Sequence, residues 1–271
     1  MTREISGDAR LSATDRLRYL GLNLVRNLRL PDRRFTRRSF CEPRLETTRA
    51  AASPGRALTE AFIQRGLPTL LPPGPIRVLE IGCGSGSLTA QLAAAGYTGS
   101  YLGVDIQDRF RHEPEAAFIR TFVEGDMQTF EPEGQFDLVM SISALEHIAD
   151  DRKVIGKLGR LVAPGGLQVH CVPSGWGLPV YLWHGYRQYT SALLAERFDP
   201  RATTLFAMGG AASFALHFVF ISVAEFVFGW RVRRQATGLY RPLLDACLRL
   251  DRFVPVCATT YAVCRRAGDA E

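Results

Sequence analysis

The run Val78-Leu79-Glu80-Ile81, followed at once by Gly82-Cys83-Gly84-Ser85-Gly86 and then Ser87-Leu88-Thr89-Ala90-Gln91-Leu92, constrains this chain more than any other feature. It reads as a buried strand, a sharp turn and a helix start. Glycine allows a sharp backbone turn and lets a ligand approach the main-chain N–H groups at the helix N-terminus. Several nucleotide-binding folds use such a turn, and a plain loop could as well. A dinucleotide fingerprint, G-x-G-x-x-G, would need glycine at position 87, where Ser87 stands.

The rest of the chain repeats the strand–helix theme. Short apolar runs at Ile76–Ile81, Tyr101–Val104, Ile119–Val123, Phe136–Ser141 and Leu167–Val172 alternate with helical stretches such as Ser87–Ala95 and Asp151–Val162. That alternation predicts an α/β fold with a parallel sheet covered on both faces. Thr190 caps a helix through Phe198, Ala202–Ala207 reads as a sixth strand, and helices over Ser213–Phe228 and Gly238–Phe253 precede a last strand, Thr259–Cys264. Upstream, Ser12 or Thr14 opens a helix with Leu17, Leu20, Leu24, Val25 and Leu28 at helical spacing, ended by Pro31. The stretch from 32 to 54 reads as an arginine-rich loop, and Ser53-Pro54 starts a second helix. Pro72-Pro73-Gly74-Pro75 is a stiff linker. The expected organisation is therefore an N-terminal helical lead-in over 1–75 and a ligand-binding domain over 76–271, with a helical insertion at 210–255.

Two acids extend the argument. Tyr101-Leu102-Gly103-Val104-Asp105 ends a strand in a carboxylate able to accept both hydroxyls of a ribose. Glu124-Gly125-Asp126-Met127 follows the next strand; Asp126 could accept an adenine amino group, and Met127 could pack on the ring or offer its N–H. A lone Asp at a strand end is usually a turn residue, but Glu80, Asp105 and Asp126 close successive strands and converge on one crevice.

These residues, with Phe136-Asp137-Leu138-Val139-Met140-Ser141, Ala144-Leu145-Glu146-His147-Ile148, Leu161-Val162-Ala163-Pro164-Gly165-Gly166 and Tyr186-Arg187-Gln188-Tyr189-Thr190, resemble the class I S-adenosylmethionine-dependent methyltransferases, specifically the type 11 small-molecule branch. The resemblance spans about 55–208 and the final strand. It implies a Rossmann-like seven-stranded sheet with the last strand antiparallel, N-terminal helices, the second of them over the cofactor, and a helical insertion before the last strand. It implies S-adenosyl-L-methionine as cofactor, held by Glu80, Gly82, Cys83, Gly84, Gly86, Asp105, Ile106, Asp126, Met127 and Ser141. It also implies methyl transfer to a small-molecule acceptor, with oxygen favoured by the family at large.

Two histidines could act as general base, His147 after the fourth strand and His184 ahead of Tyr186–Thr190; either could instead only hydrogen-bond a loop. Ubiquinone-pathway O-methyltransferases resemble this region and bind a divalent metal through E-x-x-E-H. Here Ser143 replaces the first acid, so no metal is expected. Substrate contacts are expected from Trp176, Trp183, Tyr186 and Arg187. The aromatic insertion, with Phe214, Phe218, Phe220, Phe226, Phe228 and Trp230, is either core or a surface for something greasy, and Arg231, Arg233 and Arg234 would suit phosphate headgroups.

Charge adds little. The net charge is +6, carried almost wholly by arginine, since Lys153 and Lys157 are the only lysines. A lipid-like or anionic acceptor, or a membrane surface touched through 205–234, fits that balance, as does a purely compositional bias. Nucleic acid is the weaker expectation, because Ser141-Ile142-Ser143-Ala144 stands where base methyltransferases often carry an N/D-P-P-Y/F motif. Gly209-Gly210, His217 and Glu225 interrupt the apolar stretch and argue against a membrane span. The N-terminus carries no apolar signal segment, and the six cysteines lack C-x-x-C spacing; both point to a cytoplasmic protein with reduced thiols. The competing readings are a methyltransferase-like module without activity and a nucleotide-dependent oxidoreductase. The oligomeric state has no sequence signal.

Overall fold

The computed structural model describes residues 5–42, 51–112 and 116–268. In chain order its main elements are α1 (Ala13–Asn27), β1 (Thr36–Phe40), α2 (Pro54–Ala61), β2 (Pro75–Ile81), α3 (Leu88–Ala94), β3 (Thr98–Asp105), β4 (Phe118–Glu124), β5 (Phe136–Ile142), α4 (Asp151–Arg160), β6 (Val162–Pro173), α5 (Ser191–Leu194), β7 (Thr203–Met208), α6 (Ala211–His217), α7 (Val232–Gln235), α8 (Thr237–Asp251) and β8 (Thr260–Arg266). The strands form one sheet in the order β1-β7-β8-β6-β5-β2-β3-β4. β8 runs antiparallel to both β6 and β7, and every other pairing is parallel.

The sheet has eight strands, one more than the resemblance implies. The extra strand is β1, which lies in the stretch expected to be a loop and pairs in parallel with β7, from Thr36 against Thr204 to Phe40 against Met208. Its Thr-Arg-Arg-Ser-Phe sequence is exposed at an edge, so it shows no apolar alternation to announce it. The rest of that expected loop, 43–50, lies outside the described residues. β2 begins on Pro75 itself, a position where the missing N–H is tolerated.

Strand alternation sends Val78, Tyr101, Met140 and Val169 to one face, where they pack with Leu58, Phe62, Leu88, Leu92, Leu244 and Leu248 from α2, α3 and α8. Leu79, Ile81, Val104 and Val139 point the other way and pack with Val154, Ile155 and Leu158 of α4. Both faces are thus covered, as a parallel sheet requires. β2 lies between β5 and β3, the point where the strand order reverses, and its carboxyl end opens on the crevice used by such sheets.

Caps follow the sequence closely. Ser12 accepts from the Asp15 N–H, Ser53 from Arg56 and Thr190 from Leu193. α1 stops at Asn27, three residues short of the position adjoining Pro31. α2 widens into a π-helical turn, Phe62–Gly66, and α6 runs on into a π-helical stretch, Phe218–Val227. Among the described residues, no helix is long and apolar enough to cross a membrane.

Candidate active site

The glycine turn is built from both sequence and packing. Gly82 has φ +65°, and a Cβ there would lie 2.4 Å from the Ala144 Cβ. Gly86 has φ +73°, and its Cβ would strike the Phe122 ring at 2.5 Å. Only glycine meets both demands. The turn is tied to β3: Gly82 N–H donates to the Val104 carbonyl at 2.8 Å, and Gly84 N–H to Asp105 Oδ2 at 2.8 Å. The other Asp105 oxygen accepts from Gln107 N–H at 3.1 Å.

Glu80 is buried and accepts a hydrogen bond from the Tyr101 hydroxyl. Burial pushes its pKa up to about 8, with Tyr101 opposing and the nearby Asp105 charge adding to the rise. Burial and the same two acids lift the Cys83 thiol to about 12, so it is inert as a nucleophile.

A cavity of about 410 Å3 opens from this turn. Its lining takes in Glu80, Gly82, Cys83, Gly84, Ser85 and Ser87 of the turn, and Ser53, Gly55, Arg56, Thr59 and Glu60 of the α2 segment. Ile142 and Ser143 at the end of the neighbouring β5, with Glu146, Pro173, Tyr181, His184 and Thr260, complete the lining. A Cβ at Gly84 would meet nothing within 4 Å, and Gln91 Oε1, on the same wall, is buried without a partner. An open cradle beside a buried, protonatable carboxylate suits a ligand carrying a cation and hydrogen-bond donors. S-adenosylmethionine, with its ammonium, sulfonium and ribose hydroxyls, has that chemistry.

The expected cofactor residues divide. Glu80, Gly82, Cys83 and Gly84 line the cavity. Gly86 supports the turn from beneath, against Phe122. Asp105 is 6% exposed at the β3 end, and Ile106 beside it is 66% exposed. Asp126 is exposed and accepts from the N–H of Gln128 at 2.8 Å. The Met127 side chain is buried in the α4-side core with Leu79 and Val104, which leaves its backbone N–H as the other contact the sequence offers. The Ser141 hydroxyl is buried and bonded at 2.7 Å to Nδ1 of His170, whose own pKa burial lowers to about 3.

The acceptor end brings the two histidines together. Their rings meet edge to face with centroids 4.6 Å apart. His184 Nε2 lies 3.6 Å from Glu146 Oε1, and His147 Nε2 lies 4.0 Å from the same oxygen. Glu146 has no exposed surface, and neither of its oxygens has a hydrogen bond of good geometry. Asp8 closes the ring from the other side: His147 Nδ1 bonds its Oδ2 at 2.7 Å, while the Gly185 N–H donates to its Oδ1 at 3.2 Å. Interaction with Glu146 holds the His184 pKa above its ordinary value, against burial, and the Asp8 charge adds to this. For Asp8, burial works upward but is outweighed by His147, the Gly185 N–H and the histidine charges, so its pKa is lowered.

Ser143 removes one carboxylate from the ligand set, as the sequence shows, but His184 enters the same space from a distant segment. Ligand atoms of Glu146, His147 and His184 lie within 4.8 Å of one another. Sequence spacing cannot reveal this trio, nor the part Asp8 plays, since His147 and Gly185, which it bonds here, are more than 130 residues away. Tyr181 of the same loop reaches the cavity, whereas the four residues expected to bind substrate stand elsewhere. Trp176 is 52% exposed on a separate hollow beside Arg37 and Tyr261. Trp183 lies under the Arg16 guanidinium, 5.2 Å away, and donates to the Arg16 carbonyl. Tyr186 packs beside Arg187. Arg187 is buried, bonded to the Ile148 and Ala149 carbonyls and paired with Asp151 at 2.9 Å. Its role in the fold is to anchor this loop to α4.

A family model described as a methyltransferase domain matches residues 55–202, more than half of the chain. The protein belongs to that family, the class I S-adenosylmethionine-dependent methyltransferases. An uncharacterized methyltransferase of Mycobacterium tuberculosis is 38% identical over 125 residues, 44% of this chain and 61% of that protein. A trans-aconitate 2-methyltransferase of Deinococcus radiodurans is 34% identical over 113 residues, 41% of this chain and 43% of that protein. The matched stretches thus span about two-fifths to three-fifths of these relatives. The structure of the cyclopropane synthase MmaA2 from Mycobacterium tuberculosis aligns with a TM-score of 0.51 at 16% identity, over 97% of this chain and 96% of that one; the likeness is one of fold.

Proposed function

We propose that this chain transfers the methyl group of S-adenosylmethionine to an oxygen of a small acceptor, with His184 taking the acceptor proton. The observation that carries this is that His184 lines the same cavity as the glycine turn, with the buried Glu146 carboxylate 3.6 Å from its Nε2. The cofactor, when bound, supplies an electrophilic methyl on a sulfonium. The chain supplies alignment and exclusion of water, which dominate an in-line displacement. In this reading Glu80 holds the methionine end, Asp105 the ribose hydroxyls and Asp126 the adenine amino group. Gly82, Cys83, Gly84 and Gly86 form the cradle, Ile106 and the Met127 N–H flank the base, and Ser141 supports the β5 end through His170.

His184 is a better base for its raised pKa, and Glu146 stabilises the imidazolium that forms. His147, bonded to Asp8, closes the site with the N-terminal segment and is the second candidate base. We read this set as proton-handling, without a metal. The acceptor is greasy: Ile142, Pro173 and Tyr181 line its end of the cavity, and the 205–234 region presents exposed Phe226, Phe228 and Trp230 beside exposed Arg231 and Arg234, a surface suited to peripheral membrane contact. The six cysteines, all unpaired, suit a reducing cytoplasmic setting.

The test is incubation of purified protein with a methyl-labelled donor and a panel of phenolic, aliphatic and lipid-linked alcohols. Label in an ether product, with kcat reduced about 10²–10⁴-fold by His184→Asn, supports the reading. Label appearing only on nitrogen or carbon acceptors overturns its oxygen component.

A further inference from the structure

α1 is amphipathic in the opposite sense to a packed helix. Its polar side faces the protein: the buried Tyr19 hydroxyl donates to the His184 carbonyl at 2.7 Å, buried Asn23 bonds the Tyr19 carbonyl, and Asn27 donates to the Gly175 carbonyl at 3.1 Å. Its apolar side faces outward: Leu17 is 72% exposed, Val25 68% and Leu28 74%, with Leu24 also exposed. These four belong, with Leu20, to the five apolar positions that the sequence places at helical spacing; Leu20 is half-buried. A soluble helix that leaves such a stripe uncovered lacks the burial that ordinarily stabilises it.

The outward face carries Thr14, Leu17, Arg18, Gly21, Leu24, Val25 and Leu28, with no acidic residue. The acid of the first turn, Asp15, is held by the Ser12 cap. Arg18 on this face is exposed, and exposed Arg10 and Arg33 lie beyond the two ends of the helix. A second copy of this chain would bring a like-charged surface to the face. An anionic bilayer supplies both an apolar layer for the leucines and phosphates for the arginines. At about 1.5 Å per residue the 15 residues of α1 extend roughly 22 Å, too short to span a bilayer and suited to lying in its surface.

We infer that α1 is a membrane-docking helix that seats its Leu17–Leu28 face in the headgroup layer of an anionic bilayer. The loop to which it is pinned, through the His184 and Gly175 carbonyls, also supplies Tyr181 and His184 to the cavity. Docking therefore sets the acceptor end of the site close to the bilayer. The inference deepens the proposed reading of a greasy acceptor, but its test does not depend on turnover.

The experiment is co-sedimentation of the full chain with vesicles of phosphatidylglycerol and phosphatidylcholine in equal parts, against phosphatidylcholine alone. The wild-type protein is expected to sediment with the anionic vesicles and to be released by high salt. The variant L17Q/L24Q/L28Q should lose at least tenfold in vesicle affinity, with its melting temperature and S-adenosylhomocysteine binding unchanged. A companion variant, F226S/F228S/W230S, separates the two surfaces. If that variant alone abolishes sedimentation while L17Q/L24Q/L28Q binds like wild type, the assignment to α1 is wrong and the greasy-acceptor reading stands. No sedimentation of wild-type protein overturns the inference. So does a wild-type dimer by light scattering that the leucine variant converts to monomer.

Discussion

His184 Nε2 stands 3.6 Å from Oε1 of Glu146, a carboxylate with no exposed surface, and both residues line the cavity that the glycine turn also lines. A base of raised pKa must lose its proton before it can act. Activity should therefore fall as pH drops through a value above the ordinary 6.5 of histidine. Glu146→Gln removes the largest cause of the rise, so the acid limb of kcat/KM should move to lower pH while kcat falls. A limb that does not move in the variant assigns the titration to another group.

Glu80 makes a second prediction, with the sign set by its raised pKa of about 8. Folding disfavours its charged form, so the protein without cofactor loses stability as pH rises from the ordinary carboxyl range toward 8. Glu80→Gln should raise the melting point of that form at pH 8, by roughly 2–4 °C for each kcal/mol relieved, and should weaken S-adenosylmethionine binding. Binding of the cationic cofactor should also release a proton near neutral pH, seen as a binding heat that depends on the buffer. A heat independent of buffer ionisation would argue against Glu80 as the group that meets the charge.

Asp151 holds the loop that carries the site. It is buried, paired with Arg187 at 2.9 Å and Arg197 at 2.6 Å, and accepts from the Tyr189 hydroxyl at 2.8 Å. Asp151→Ala leaves the buried Arg187 without its counter-charge and should cost about 3–5 kcal/mol, measured by denaturant unfolding. A loss within 1 kcal/mol would mean that the carbonyls of Ile148 and Ala149 suffice.

The Glu146, His147 and His184 set suits a borderline ion such as zinc better than a hard one, and the bond from Asp8 to His147 Nδ1 is of the kind that orients metal ligands. The proton-handling reading nevertheless predicts that exhaustive chelation leaves turnover and melting temperature unchanged. Loss of both on chelation, with recovery on adding zinc, would replace that reading by a metal centre.

The sheet was legible in the sequence because its strands are short apolar runs bounded by turn residues, and the cofactor end was legible because a glycine turn and strand-end acids are local. β1 was not legible, since an exposed Thr-Arg-Arg-Ser-Phe edge strand has no pattern of its own. The helical spacing of Leu17, Leu24 and Leu28 correctly marks a helix but points to a buried stripe, because periodicity reports a face without saying what covers it. Arg187 read as a substrate contact because its burial against Asp151 depends on a partner on α4. Asp8 was invisible for the same reason.

Cofactor binding tests the central claim most directly. In a calorimetric titration with S-adenosylhomocysteine, the wild-type chain should bind at a single site, and ligand at a hundred times its dissociation constant should add about 2.7 kcal/mol of stability. Asp105→Ala, which removes the carboxylate that ties the turn and that we propose accepts the ribose hydroxyls, should weaken binding by on the order of a hundredfold, the loss expected for a charge-assisted hydrogen-bond pair. A wild-type titration with no heat and no shift in melting temperature would contradict the account.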